Sequence, residues 1–334
     1  MCGVYAAVEA LGAGLNPSAP PPLPASPKSG YSLPAMLEPD PIAKLITARL
    51  TALQASQHLS AWSLIVSFLG DAIGPRGGVV SASTLQTLMQ RLGIGHGAVR
   101  TAVSRLAADG WIERSREGRN SFYALSGDVG ETVLSAERRI YAASSLLPAD
   151  TPRSLIISAE PLSDASLRAF EAAGALQIAP QSVLCFTRAS DLPAGLRLPG
   201  ATIAEATTLM PGTALSEQIA IARQSTDFAE LHAAYLPVSA ALEQTGTPTP
   251  EDAMALRCLM IHEWRRLALR VLAIPADMIQ PDDPDPEPET RTLIASIYAR
   301  LLAPSEAWLD AYASTPSGPL PPPDARLAAR FGGS

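Results

Sequence analysis

The sequence predicts an α+β protein of several domains, and three observations lead to that class. Between residues 59 and 125, short helical patterns are followed by a strand, a turn and a second strand. Residues 150–213 combine short apolar strands with one helical segment. From residue 214 onward, apolar residues recur at helical spacing. Because the hydrophobic period changes along the chain, we predict an N-terminal helix-and-hairpin unit, a middle α+β domain and a C-terminal all-α domain.

Two short helices separated by a glycine turn form the first motif. LSAWSLIVSFLGDAIGP (59–75) is apolar on most faces, as a core helix is. Ser83 is the predicted N-cap of the next helix, and Gly93 fits the positive φ of its end. A further helix is predicted over residues 97–109 and completes a helix-turn-helix unit. Its predicted core face carries Val99, Ala102, Val103 and Leu106.

A hairpin follows this unit. WIERSR (111–116) and SFYAL (121–125) fit two strands, and Gly118 lies in the turn between them. The order of elements predicts a winged helix that binds double-stranded DNA. The last helix would contact the major groove, and the hairpin would contact the phosphate backbone. The predicted DNA-binding residues are His96, Arg100, Thr101, Ser104, Arg105, Arg114, Arg116, Arg119 and Asn120.

The rest of the chain predicts a small sandwich and a helical domain. RSLIIS (153–158), ALQIAPQSVLCF (175–186) and ATIAEATTLM (201–210) are strand-like, and DASLRAFEAAG (164–174) is helical. This order fits a ferredoxin-like α+β domain. We predict a disordered leader over 1–40, a winged-helix domain over 41–128, a connecting helix over 129–149, the ferredoxin-like domain over 150–213, a helical domain over 214–313 and a flexible tail over 314–334.

Length, composition and charge limit the kind of protein. The chain has 334 residues, enough for two or three domains, and 47% of them are apolar, enough for buried cores. The formal net charge is −7, yet residues 60–126 contain seven arginines against four acidic residues. A locally basic unit on an acidic chain is typical of nucleic-acid binding by one domain.

Cysteine usage and hydropathy exclude further classes. Cys2, Cys185 and Cys258 are odd in number and form no CxxC pair, so we predict neither a disulfide framework nor a zinc site. The sequence has no run of 18 uncharged apolar residues and no basic start typical of a secretory signal. We therefore expect a cytoplasmic protein that needs no metal or cofactor and does not contact the membrane.

Three stretches resemble the PaaX family of bacterial transcriptional repressors. They are GDAIGPRGG (70–78), VRTAVSRLAADGWIERSREGRNSFYAL (99–125) and LMIHEWRRLALRVLAIPADMIQPDD (259–283). The resemblance implies a repressor of a catabolic operon, with phenylacetate catabolism as the family's prototype. It implies a middle domain similar to the ferredoxin-like Cas2 fold and a homodimer on a palindromic operator. It also implies release by an acyl-CoA thioester, such as the aryl-CoA phenylacetyl-CoA.

A cluster on one predicted helix is the candidate effector site. His262, Arg265 and Arg266 are close in sequence, and either arginine could bind a CoA phosphate or an acyl carboxylate. The alternatives are a structural network between helices and a dimer contact. His96 has a similar alternative, since a histidine at a helix start can be a solvated or capping residue.

Two other functions stay open at this point. A Cas2-like domain can be a metal-dependent nuclease, for which Glu160 after the first strand is the candidate acid. The winged helix could instead bind a protein. The sequence contains no GxSxG, P-loop lysine or GxGxxG motif, and Arg266 stands where HExxH requires histidine. We therefore predict no catalytic residues and a protein that is not an enzyme.

Overall fold

The computed structural model describes residues 40–279 and 285–332. The predicted leader lies outside the described residues except for Asp40. Residues 280–284 and 333–334 lie outside them too. No helix in the described part of the chain is long and apolar enough to cross a membrane.

The first helix, α1 (Pro41–Ala55), packs on the C-terminal part of the chain. It begins after Asp40, whose carboxylate accepts a hydrogen bond from the backbone N–H of Ile42 at 3.2 Å. Its apolar face contacts the helices over residues 225–245 and 250–268. The predicted winged-helix domain therefore began too early, because the apolar face of α1 finds its partners far away in the sequence. The buried residues of α1 are Ile42, Ile46, Leu50 and Leu53.

The next unit opens with a helix whose winding changes. α2 (Ala61–Phe68) continues into a π-helical turn at Leu69–Ile73 and a 3-10 turn at Gly74–Arg76. Strand β1 (Val79–Ser81) leads into α3 (Ala82–Arg91). Ser81, rather than the predicted Ser83, caps α3 and accepts a hydrogen bond from the backbone N–H of Thr84 at 3.2 Å. Ser81 holds the extended backbone that a cap requires, whereas Ser83 is already within the first turn.

The turn after α3 leads into a helix and a hairpin. Gly93 has φ of 74°, and the backbone N–H of Ile94 donates to the carbonyl of Met89 at 2.9 Å, which closes the helix end. The helix α4 (His96–Ala108) follows. The hairpin consists of β2 (Ile112–Glu117) and β3 (Asn120–Leu125), joined by Gly118 and Arg119, and β1 completes an antiparallel sheet of order β1-β3-β2.

The connecting segment is only partly helical. α5 (Gly130–Ile140) ends earlier than the predicted helix over 129–149. Beyond it the chain extends to Leu147, whose backbone pairs with the segment at Pro275. These hydrogen bonds replace those of a continued helix.

A four-stranded antiparallel sheet follows, built from β4 (Arg153–Ile157), β5 (Leu176–Ala179), β6 (Ser182–Cys185) and β7 (Thr202–Ala206). The strand order is β5-β6-β4-β7. One face packs on a small core that contains Ile156 and Phe170, and the other packs towards the C-terminal helices through Leu184 and Met278. Between β6 and β7 the chain makes only two 3-10 turns. Helix α6 (Asp164–Ala172) lies between β4 and β5 in the sequence.

The C-terminal helices surround one buried helix. Helix α9 (Pro250–Ala268) is almost wholly buried, and its first turn is capped by Thr249, whose hydroxyl accepts from the backbone N–H of Asp252 at 3.2 Å. One continuous hydrophobic core joins this helix to α1, to the unit over 61–125 and to the other long helices. The other helices are α7 (Thr213–Ala222), α8 (Ser225–Thr245) and α10 (Glu287–Tyr312).

The predicted flexible tail is folded in the structure as far as residue 332. Leu320 and Leu327 are buried, and the backbone N–H of Asp324 donates to the carbonyl of Pro75 at 2.8 Å. Arg330 is buried and donates to Asp71, Glu137 and Tyr298. The proline-rich composition of this segment did not indicate these contacts, because the partners Asp71 and Glu137 lie 259 and 193 residues before Arg330. The tail contains β8 (Ser314–Thr315), β9 (Gly318–Pro319) and α11 (Ala325–Ala328).

Candidate nucleic-acid interface

Helix α4 has an apolar face and a polar face. Its four predicted core residues are all buried, and the helix packs on α2 through them. The predicted contact residues on the same helix are all exposed, because they lie on the opposite side of a 3.6-residue repeat. These exposed residues are His96, Arg100, Thr101, Ser104 and Arg105.

A groove runs between α4, α3 and the hairpin. The groove together with the solvent space at its open side has a volume of about 1010 Å³. His96, Arg100, Ser104 and Arg114 all line it, so the structure brings four predicted residues from two elements to one concave surface. Thr101 and Arg105 are exposed on α4 outside the groove.

The hairpin carries the remaining predicted residues. Arg116, Arg119 and Asn120 are exposed at its tip, away from the groove lining. Arg114 lies nearer the base, where its Nη2 donates to the hydroxyl of Ser121 at 2.8 Å. This hydrogen bond holds the Arg114 guanidinium against the hairpin, beside the groove that Arg114 lines.

The sequence did not predict two residues that line the groove, nor a third that contacts His96. Gln86 and Tyr123 line the groove, and Tyr123 lies directly opposite Arg114 in the hairpin. Gln90 forms a hydrogen bond with the ring of His96. Gln86 and Gln90 are four residues apart, so the sequence could have placed them together on one face of α3. No sequence feature distinguished Tyr123 from any other half-buried strand residue.

Two arginines of the basic stretch belong to the body of the protein. Arg76 pairs with Glu306 at 2.6 Å and with Asp310, and Arg91 pairs with Asp252. The exposed remainder of the stretch still has more arginines than acidic residues. It consists of Arg100, Arg105, Arg114, Arg116 and Arg119 with Asp109, Glu113 and Glu117.

The predicted effector residues do not form one site. His262 is 1% exposed, and its ring contacts the hydroxyl of Ser63 at 3.3 Å and the carbonyl of His58 at 3.2 Å. Burial and the nearby charge of Arg265 lower the pKa of His262 to about 3. The ring is buried, and both of its nitrogens have partners within the protein. Arg265 and Arg266 lie on different faces of α9 and line different cavities.

Glu160 is exposed at the bend after β4, where its backbone N–H donates to the hydroxyl of Ser158 at 3.4 Å. Across residues 40–279 and 285–332, no group of three His, Cys, Asp or Glu side chains is arranged to hold a metal ion. The geometry thus gives the nuclease hypothesis no specific support.

Comparisons with known proteins point to one family. The model of the PaaX-like protein family matches residues 60–129, and that of the PaaX-like protein C-terminal domain matches residues 220–311. The transcriptional repressor PaaX of Escherichia coli is 28% identical over 306 residues, which cover 82% of this chain and 91% of the repressor. A solved structure of an uncharacterized protein from Mycobacterium tuberculosis aligns with a TM-score of 0.41 at 16% identity, covering 73% of this chain and 98% of that one. Both matched segments follow the order of the elements described above, and over these segments the chain is similar to the PaaX family.

Proposed function

We propose that this protein is a DNA-binding transcriptional repressor. The observation that carries the proposal is the groove in which α4 and the hairpin place His96, Arg100, Ser104 and Arg114 together. An arginine guanidinium can donate two parallel hydrogen bonds to a guanine edge or to a phosphate. A hydroxyl group can form a hydrogen bond with either partner. In this proposal α4 enters the major groove, and the hairpin tip with Arg116, Arg119 and Asn120 holds the backbone.

The family relationship supports repression of a catabolic operon, that of phenylacetate in the prototype. The E. coli relative is by name a transcriptional repressor. We propose that the unit over 61–125 is a winged helix and that the four-stranded sheet is the ferredoxin-like, Cas2-like domain. The order β5-β6-β4-β7 supports the second assignment, since β6 lies between the two strands that α6 connects.

We further propose that a homodimer binds a palindromic operator and that an acyl-CoA thioester releases it. Exposed large apolar side chains support an association surface near the four-stranded sheet, because such residues are costly to leave in water. They include Ile157, Ile203 and Met210. Release requires that the thioester prefer a state of the dimer that does not bind DNA.

Fluorescence anisotropy with labelled DNA from upstream of the protein's own gene and its neighbours tests this function. We expect tight binding whose affinity falls steeply with salt, because arginine–phosphate contacts release counterions. An aryl-CoA added to the complex should release the DNA. Arg168→Ala, on the exposed face of α6, removes one positive charge away from the groove and is the control for variants of the groove arginines. It should bind DNA as the unmodified protein does. Failure to bind any of these DNA segments would contradict the proposal.

A further inference from the structure

An apolar cavity lies where the unit over residues 61–125, called here the DNA-facing unit, meets α5 and the C-terminal helices, called the body of the protein. Its walls come from α2, from the base of the hairpin, from α5 and from α9. The cavity together with the solvent space at its mouth has a volume of about 740 Å³, and almost all of its lining is apolar. Lining residues that matter here are Trp62, Trp111, Leu125, Val133, Ala136 and Arg265.

Two tryptophans give the cavity an aromatic wall. The rings of Trp62 and Trp111 meet edge to face, with centroids 5.4 Å apart and planes at 75°. Both side chains are only partly buried, and both line the cavity. A third aromatic ring can add to this arrangement by edge or face contact, so the wall favours an aromatic ligand over an aliphatic one.

Arg265 gives the same cavity a positive charge, and no carboxylate within residues 40–279 or 285–332 pairs with it. The side chain is 8% exposed, and its Nε donates to the hydroxyl of Ser67 at 2.7 Å. Its Nη2 donates to the hydroxyl and carbonyl of Ser63. Among the described residues, no carboxylate forms an ion pair with Arg265 and no acceptor bonds its Nη1. Burial and the neighbouring charge of Arg266 lower the pKa of Arg265 to about 10.

The other charged groups on the cavity wall are already paired. Asp71 accepts hydrogen bonds from Arg257, Arg330 and two tyrosines. Glu137 pairs with Arg326 and Arg330. A buried guanidinium without a counterion is costly, and an entering oxygen anion would relieve that cost. Arg265 is therefore the group on this wall that lacks an acidic partner.

We propose that this cavity binds an aromatic acyl group, with the ring against Trp62 and Trp111 and the acyl oxygen accepting hydrogen bonds from Arg265. The ligand is either a free aromatic carboxylate or the same acyl group carried as a thioester. This inference rests on the proposed function for its regulatory meaning, because it identifies the site at which an effector acts. The binding itself does not depend on DNA.

The position of Trp111 explains how such a ligand would change DNA binding. The backbone N–H of Trp111 donates to the carbonyl of Leu106 at the end of α4, at 2.8 Å. Its carbonyl accepts from the backbone N–H of Ser126 at the end of the hairpin, at 2.9 Å. A ligand that displaces the Trp111 side chain therefore pulls on both DNA-facing elements. The occupied cavity would favour a different angle between α4, the hairpin and the body.

Tryptophan fluorescence of the DNA-free full chain tests the site. The probes are 3-phenylpropanoate, its neutral amide and its CoA thioester. We expect saturable quenching by the carboxylate, and binding of the amide about tenfold weaker because it carries no charge for Arg265. Trp62→Phe and Trp111→Phe should each reduce the quenching. Trp264 and Trp308 are buried and do not line this cavity, so the variants at Trp62 and Trp111 separate the signal of the cavity from theirs.

Matched variants identify the contact. Arg265→Gln should remove the difference between carboxylate and amide, whereas Arg266→Gln, one residue along and on another face of α9, should preserve it. Ala136→Leu, which fills the cavity from α5, should weaken both probes. If Arg265→Gln fails to fold, the Ala136→Leu variant and the carboxylate–amide pair still decide the question.

The outcomes separate the two ligand sources and the two proposals. Quenching by the carboxylate supports a free acid, and quenching by the thioester alone supports a carried acyl group. No saturable quenching by either, or quenching that Ala136→Leu leaves unchanged, would overturn the site. Because these titrations contain no DNA, they can fail while DNA binding succeeds, and the reverse also holds.

Discussion

The arginines of the DNA-facing unit and those around Asp71 differ in what neutralises them. Arg100, Arg116 and Arg119 are exposed, and in the described part of the chain none of them has an ion-pair partner. Arg257 and Arg330 are buried and share the carboxylate of Asp71, at 2.7 and 2.8 Å. One residue type thus serves two purposes. The exposed group is available to phosphates, and the buried group ties distant segments together.

The buried cluster joins three parts of the chain that are far apart in sequence. Asp71 lies in the π-helical turn, Arg257 in α9 and Arg330 in the folded tail. Burial alone would raise the pKa of Asp71, but the charges of Arg257 and Arg330 lower it below its usual value. The guanidinium of Arg330 also lies 4.0 Å from the ring centroid of Tyr141. The DNA-facing unit is therefore fastened to the body by charge pairs as well as by the shared core.

Removing the shared carboxylate should give the largest effect. Asp71→Asn removes the buried carboxylate that Arg257 and Arg330 share and leaves each guanidinium with one acidic partner, Glu306 and Glu137 respectively. Breaking these buried pairs should lower the free energy of unfolding by about 3–5 kcal/mol. Urea denaturation followed by circular dichroism measures this change. Asp310→Asn, which breaks an ion pair of an exposed carboxylate with Arg76, should cost less than about 1 kcal/mol. Equal losses in the two variants would refute the difference between buried and exposed pairs.

The opposite result should hold in the DNA-facing unit. Arg100→Ala should weaken operator binding by about 1–3 kcal/mol if the side chain contacts a base. The free energy of unfolding should change by less than about 0.5 kcal/mol, because the side chain is exposed. Anisotropy titration and urea denaturation of the same preparation separate the two quantities. Intact operator binding would remove Arg100 from the interface.

The buried His262 of α9 should make the free energy of unfolding depend on pH. The folded-state pKa of His262, about 3, lies below the usual value near 6.5, so the folded protein keeps this ring neutral. Its contribution to stability is present above pH 6.5 and is lost as the pH falls towards 3. The loss should approach about 1.4 kcal/mol per pH unit between pH 6 and 4.

Replacing each histidine tests that expectation. His262→Gln should flatten the pH dependence of the unfolding free energy over this window. The exposed His96→Gln should leave it unchanged. Urea denaturation at pH 7, 6, 5 and 4 gives the slope for each variant, and a slope that His262→Gln leaves as steep would disprove the assignment.

The smallest effect is expected at the boundary between the regions. Ser81 caps α3, and Thr84 in its first turn donates to the carbonyl of Tyr312 at the end of α10, at 2.8 Å. Ser81→Ala should lower the free energy of unfolding by about 1 kcal/mol through the lost cap. Ser83→Ala should change it by less than half of that, and thermal denaturation compares the two. A larger effect at Ser83 would restore the cap predicted from the sequence.

Local patterns were sufficient to place most helices and strands. The 3.6-residue repeat of α4 identified its buried residues, and Gly93, Gly110 and Gly118 take the positive φ that their turns require. The exposed positions of all nine predicted DNA contacts follow from the same repeat and from the hairpin. These features depend on neighbours within a few residues, and such information is contained in the sequence itself.

The tertiary structure decided the features that depend on distant partners. Packing of α1 on α8 and α9, the folded tail and the cavity at Arg265 all arise from residues separated by 100 positions or more. His262 and Arg265 are three residues apart, yet their surroundings differ. The His262 ring is buried and contacts Ser63 and His58, whereas the Arg265 side chain lines a cavity. The sequence by itself determined which segments are helical and which face of each is apolar. Burial and charge pairing depend on what packs against those faces, and for that reason only the folded chain determined which arginines remain available to a ligand.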